Sequence, residues 1–141
     1  MSERNLSRIG AGLLLAGAVA LAVQILVSLA SISDADEFVP FLLVVSGPQL
    51  VAGLWVLLPW GTRRAARYLL PILIGLYVAS WNISLLAQGS SVDLSPLQSI
   101  LIGGSLVIQA VAPLIAAGVL AGAWWVGRRS RPDVDESGSQ L

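Results

Sequence analysis

Residues 9–33 read IGAGLLLAGAVALAVQILVSLASIS, 25 residues without a charge. A helix crossing a bilayer needs about 20 consecutive apolar residues, and a helix that is apolar on every face is buried in a large core or in lipid. Working outward, the next charges stand in short clusters, and between them lie three further uncharged runs at 38–62, 68–92 and 94–127. Of the 141 residues, 56% are hydrophobic and 11% charged, so four spans account for nearly the whole chain. The expected fold is all-α, an antiparallel four-helix transmembrane bundle, N-in/C-in. Its spans are placed at about 9–31, 38–60, 68–88 and 96–126, within a helical domain 9–126. A short head (1–8) precedes the domain. A polar tail (127–141) follows and reads as disordered, and no soluble domain is expected. The competing reading of residues 1–33, a cleaved signal peptide with Ser31 and Ser33 before the cut, is disfavoured because the uncharged run exceeds a typical signal core.

The charges set the orientation. Arg4 and Arg8 precede the first span, Arg63, Arg64 and Arg67 lie between the second and third, and Arg128, Arg129 and Arg131 follow the fourth. The intervening connections carry Asp34, Asp36, Glu37 and Asp93 and no Arg or Lys. Basic residues near span ends stay on the cytoplasmic side, so both termini are expected there, in a multi-pass protein of the cell membrane. Trp60, Tyr68, Trp124 and Trp125 fall at the same interface and Phe38 and Phe41 at the other. Ser95-Pro96-Leu97-Gln98 is a capping box with Pro at the first helical position. The last helix therefore starts near Pro96, and to Val126 it would measure about 46 Å, longer than a hydrocarbon core of about 30 Å. The Arg clusters 63, 64, 67 and 128, 129, 131 are candidate contacts for anionic lipid, with topogenic charge as the plainer reading.

With no Cys and no His, structural zinc, thiolate-held clusters, histidine-ligated haem and every Cys–His or Ser–His–Asp arrangement are excluded. Net charge is zero and no basic patch with aromatics appears, so no nucleic-acid partner is expected, nor any cofactor. No ionisable residue falls inside a span away from its edges, whereas proton relays and charged-substrate sites place one there. In length and span count the chain resembles the small multidrug resistance family. That family's acidic residue in the first helix has no counterpart here, since Leu13 to Ala20 are all small or apolar. No acid, base or nucleophile stands with a supporting partner, so no enzymatic activity is expected.

Away from its ends, each span carries one carboxamide: Gln24, Gln49, Asn82 and Gln109. An amide in hydrocarbon must find a partner, so these four are expected to face protein as a polar layer of similar depth. Small residues share their faces, because Gly12, Ala16, Ala20, Gln24 and Ser28 form one row at i+4 and Ser105, Gln109, Pro113, Ala117 and Ala121 another. Ser46, Gln49 and Gly53 share a face of the second span, and Gly75, Ala79 and Asn82 a face of the third. Pro48 and Pro113 are expected to kink their helices, freeing the carbonyls of Val44 and Gln109. Gly118-x-x-x-Gly122 lies partly off the row through Gln109 and offers a contact to another helix, including one from a second copy.

Three functions of different class are weighed, and a membrane enzyme acting on lipids ranks last because no supported acid, base or nucleophile is present. The first is a non-enzymatic accessory or interaction protein, within a homo-oligomer or a larger membrane complex, whose amides glue the helices; replacing Gln49 or Gln109 by Leu should then weaken the bundle. The second is a small channel or carrier for a neutral solute or an ion lined by the amide layer. Four amides able to satisfy one another, with no energy source in view, favour the first.

Overall fold

The computed structural model describes residues 2–31, 35–57, 64–88 and 95–129. Within them the elements are α1 (Glu3–Ser31), α2 (Ala35–Ser46), α3 (Pro48–Leu57), α4 (Arg64–Gln88) and α5 (Pro96–Arg129). Four stretches, Glu3–Ala30, Val39–Leu57, Ala66–Gln88 and Pro96–Arg129, are long and apolar enough to cross a membrane, so the described chain is that of an all-helical, multi-pass membrane protein. Arg63, Arg131, Trp60, Asp34, Asp93 and the tail from 130 lie outside the described residues.

Every span buries a seven-residue repeat. In α1 these are Ser7, Leu14, Leu21 and Ser28, with Gly10, Gly17 and Gln24 between them. Across α2 and α3 they are Leu42, Gln49 and Val56, with Val45 and Ala52. In α4 Tyr68, Gly75 and Asn82 alternate with Pro71 and Val78, and in α5 Gln109, Ala116 and Ala123 alternate with Pro113, Leu120 and Gly127. A heptad repeat holds one seam toward neighbouring helices. An i+4 row drifts about 40° per step on a helix of 3.6 residues per turn. That drift corrects the reading of α1: Gly12 and Ala16 begin the row on the exposed face, and Ala20, Gln24 and Ser28 complete it inside. Ala121 leaves the α5 row for the surface in the same way.

Large apolar side chains cover the outside, with Val19, Leu26, Val44 and Ile100 each about two-thirds exposed, a surface suited to lipid. Inside, small residues make seats for larger ones. Leu120 occupies the notch at Gly10, and the Gln49 carboxamide lies against Gly17. A methyl group built on Gly75 would lie 2.9 Å from the Pro113 carbonyl oxygen, so α4 and α5 approach there backbone to backbone. Leu14, Val56, Tyr68, Leu120 and four alanines form the buried apolar cluster, and the most extensive helix contact joins α1 to α5.

The expected kink at Pro48 is a break. Gly47 separates α2 from α3 as a single-residue turn, its N–H donating to the Leu43 carbonyl at 2.9 Å while its own carbonyl accepts from Leu50 N–H at 3.0 Å. Any Cβ on Gly47 would collide with that Leu43 oxygen, which is why glycine stands there. Pro48 has no N–H for the Val44 carbonyl, which accepts a long hydrogen bond of 3.4 Å from the Tyr77 hydroxyl. By contrast α5 runs without interruption through Pro113, because neighbouring residues keep the ladder and only one donor is lost. Ser95 and Gln98 close the capping box reciprocally at 3.2 and 3.3 Å.

Candidate functional site

The four carboxamides are all buried: Gln24 is 5% exposed, Asn82 1%, and Gln49 and Gln109 0%. Their partners differ. Gln109 Nε2, on α5, donates to Gln24 Oε1 on α1 at 2.5 Å and to the Ser105 carbonyl one turn back at 3.2 Å. The Ser105 hydroxyl in turn donates to the Leu101 carbonyl at 2.7 Å. Asn82 Nδ2, on α4, donates to Ser46 Oγ at the end of α2 at 3.1 Å and to the Val78 carbonyl at 2.8 Å. One amide pair and one amide–hydroxyl pair therefore tie α1 to α5 and α2 to α4. Neither atom of the Gln49 amide has a partner, and Asn82 Oδ1 and Gln109 Oε1 are likewise unpaired.

Four amides so placed offer hydrogen bonds and dipoles but no proton to transfer and no nucleophile. Gln109 and Gln49 also separate in what they do for stability. A buried amide with no partner is unfavourable by about 1–3 kcal/mol, and an apolar group of the same shape removes that burden. Gln49→Met is therefore expected to leave the unfolding midpoint in detergent unchanged or to raise it by up to about 1 kcal/mol. A loss of more than about 1 kcal/mol would assign Gln49 a bonded partner in the bilayer.

A second polar cluster sits where α1, α3 and α4 meet, and only Arg67 of it figured among the sequence candidates. The Tyr68 hydroxyl donates to Glu3 Oε1 at 2.9 Å and lies 3.1 Å from Ser7 Oγ, which is itself 2.7 Å from the Glu3 carbonyl. Two hydroxyl protons serve three contacts: with Tyr68 donating to the carboxylate, Ser7 has one proton for the Glu3 carbonyl and the phenol oxygen together. The signal for this cluster was present in the heptad, since Ser7 opens the α1 seam and Tyr68 the α4 seam. Arg67 Nη2 donates to the Val56 carbonyl at 3.0 Å, capping one of the last carbonyls of α3, while its Nε is buried without a partner.

Of the remaining Arg candidates, Arg63 and Arg131 lie outside the described residues. Arg128 and Arg129 are exposed at the end of α5, and the Arg129 guanidinium lies 4.8 Å from the centre of the Trp125 ring, a cation–π distance. Arg64 opens α4. Among the described residues no three His, Cys, Asp or Glu side chains converge as a metal site. Comparison with protein-family models, with curated proteins and with solved structures finds no match to this chain.

Proposed function

We propose that this is a non-enzymatic accessory or interaction protein of the cytoplasmic membrane, with an antiparallel bundle and both termini in the cytoplasm. The observation that carries this reading is the use of the intramembrane polar groups: Gln109 bonds Gln24 and Asn82 bonds Ser46, all four side chains being 5% exposed or less. Polar groups committed to each other hold helices together and leave little with which to select or move a solute. The antiparallel order draws support from the α1–α5 pairings, in which Gly10 meets Leu120 and Gln24 meets Gln109. The cytoplasmic placement of the termini rests on Arg at one set of span ends. A partner helix has a place to approach at Gly118 and Gly122, where an added Cβ would meet nothing within 4 Å.

The test is purification of the full chain from its native membrane in mild detergent or nanodiscs, with the mass of the intact particle measured. The accessory role expects a particle heavier than one 14.7 kDa chain, as a homo-oligomer or with other subunits. A clean monomer would contradict it. One observation favours the channel or carrier as a second reading, the buried and unpartnered amide of Gln49, which a passing solute or ion would satisfy. That reading expects flux in liposomes that drops in Asn82→Leu, and flux equal to that of empty vesicles removes it.

A further inference from the structure

Three guanidinium-bearing residues, Arg4 and Arg8 of α1 and Arg67 of α4, line one cavity of about 450 Å³. They face a single carboxylate among the described lining residues, Glu3, whose Oε1 already accepts the Tyr68 hydroxyl. The described lining residues thus carry a net charge of +2. That charge is not neutralised from within the described lining, so its counterion is most economically a bound anion.

The chemistry of the lining narrows the ligand. Guanidinium forks match the oxygens of phosphate in paired hydrogen bonds. A volume of about 450 Å³ lies in the range of organic-ligand pockets and is larger than a bare inorganic ion requires. Val56 and Leu57, at the end of α3, add apolar residues to the lining, and Leu57 is 45% exposed, so the apolar part of the lining reaches the outer surface of the bundle. A ligand with a phosphate at one end and carbon at the other fits both parts of the lining. We propose that this cavity binds a phosphate ester, held by Arg4, Arg8 and Arg67 with its organic part against Val56 and Leu57. The ester comes either from the headgroup of an anionic phospholipid or from a soluble metabolite of the same chemistry. This site is independent of the accessory role, which stands or falls on the mass of the particle.

The experiment uses the full chain in nanodiscs of phosphatidylcholine, with retained ligand counted by native mass spectrometry after addition of phosphatidylglycerol or, separately, of glycerol 3-phosphate. Arg67 also caps α3 and its loss could unfold the bundle, so the test rests on Arg4 and Arg8, both exposed. The paired change Arg4→Ala with Arg8→Ala is compared with Arg128→Ala with Arg129→Ala, which removes the same charge outside the cavity. Binding is expected to weaken about 30-fold in the first pair and less than about threefold in the second. Retention of phosphatidylglycerol alone identifies the lipid headgroup, of glycerol 3-phosphate alone the soluble ester, and of both the shared chemistry. Equal weakening in the two variants, weakening in neither, or retention of neither ligand by the unaltered chain overturns the proposal.

Discussion

Gly75→Ala is expected to destabilise the purified bundle by about 1–3 kcal/mol, read as the unfolding midpoint in detergent. On an isolated helix the same change is favourable by about 1 kcal/mol, because alanine has the higher helix propensity. The new methyl, however, would sit 2.9 Å from the carbonyl oxygen of Pro113. That atom is backbone and cannot rotate away as a side-chain tip can, so α4 must separate from α5 along their shared seam. Gly104→Ala, on the same helix as Pro113, is the internal control, since its methyl would meet nothing within 4 Å. It should leave the midpoint unchanged or slightly higher, and equal losses at both positions would mean that the close approach at Gly75 does not limit packing.

Gln109→Leu is the second large expected effect. The substitution removes the 2.5 Å bond to Gln24 and leaves the Gln24 amide buried with no donor opposite it. Bonds between membrane helices contribute about 0.6–2 kcal/mol, and a stranded buried amide adds its own desolvation, so a loss of about 2–3 kcal/mol is expected. Adding Gln24→Leu should restore part of the loss, because the stranded group goes with it and two leucines can pack where two amides stood. A double variant as unstable as the sum of the singles would show that the two side chains are not coupled.

The four spans were legible in the sequence because each is an uncharged run bounded by Arg or by acidic residues, and a bilayer leaves few other structures for such a run. The Ser46-Gly47-Pro48 break was half legible: proline marked the lost donor, but the collision that bars a Cβ at Gly47 appears only when the helical path is built. The i+4 rows misplaced Gly12 and Ala16 because the seam follows a seven-residue repeat, visible in Tyr68, Gly75 and Asn82 once that period is sought. That the amides turn inward followed from solvation alone. Which amide meets which depends on helix order and rotation, and nothing in Gln24 itself specifies Gln109 rather than Gln49. Arg67 posed the same difficulty, since its partner is the end of a helix eleven positions earlier in the chain.

The pairing of the first and last helices also has a consequence in time. Gln24 and Gln109 are 85 positions apart, so at synthesis rates of about 5–20 residues per second the first amide is made roughly 4–17 s before its partner. Through that interval the notch at Gly10 is without Leu120 and the Gln24 oxygen is without its donor. A nascent chain that ends before residue 109 keeps that vacancy permanently, and any companion helix bearing a donor has seconds in which to occupy it before the chain completes itself.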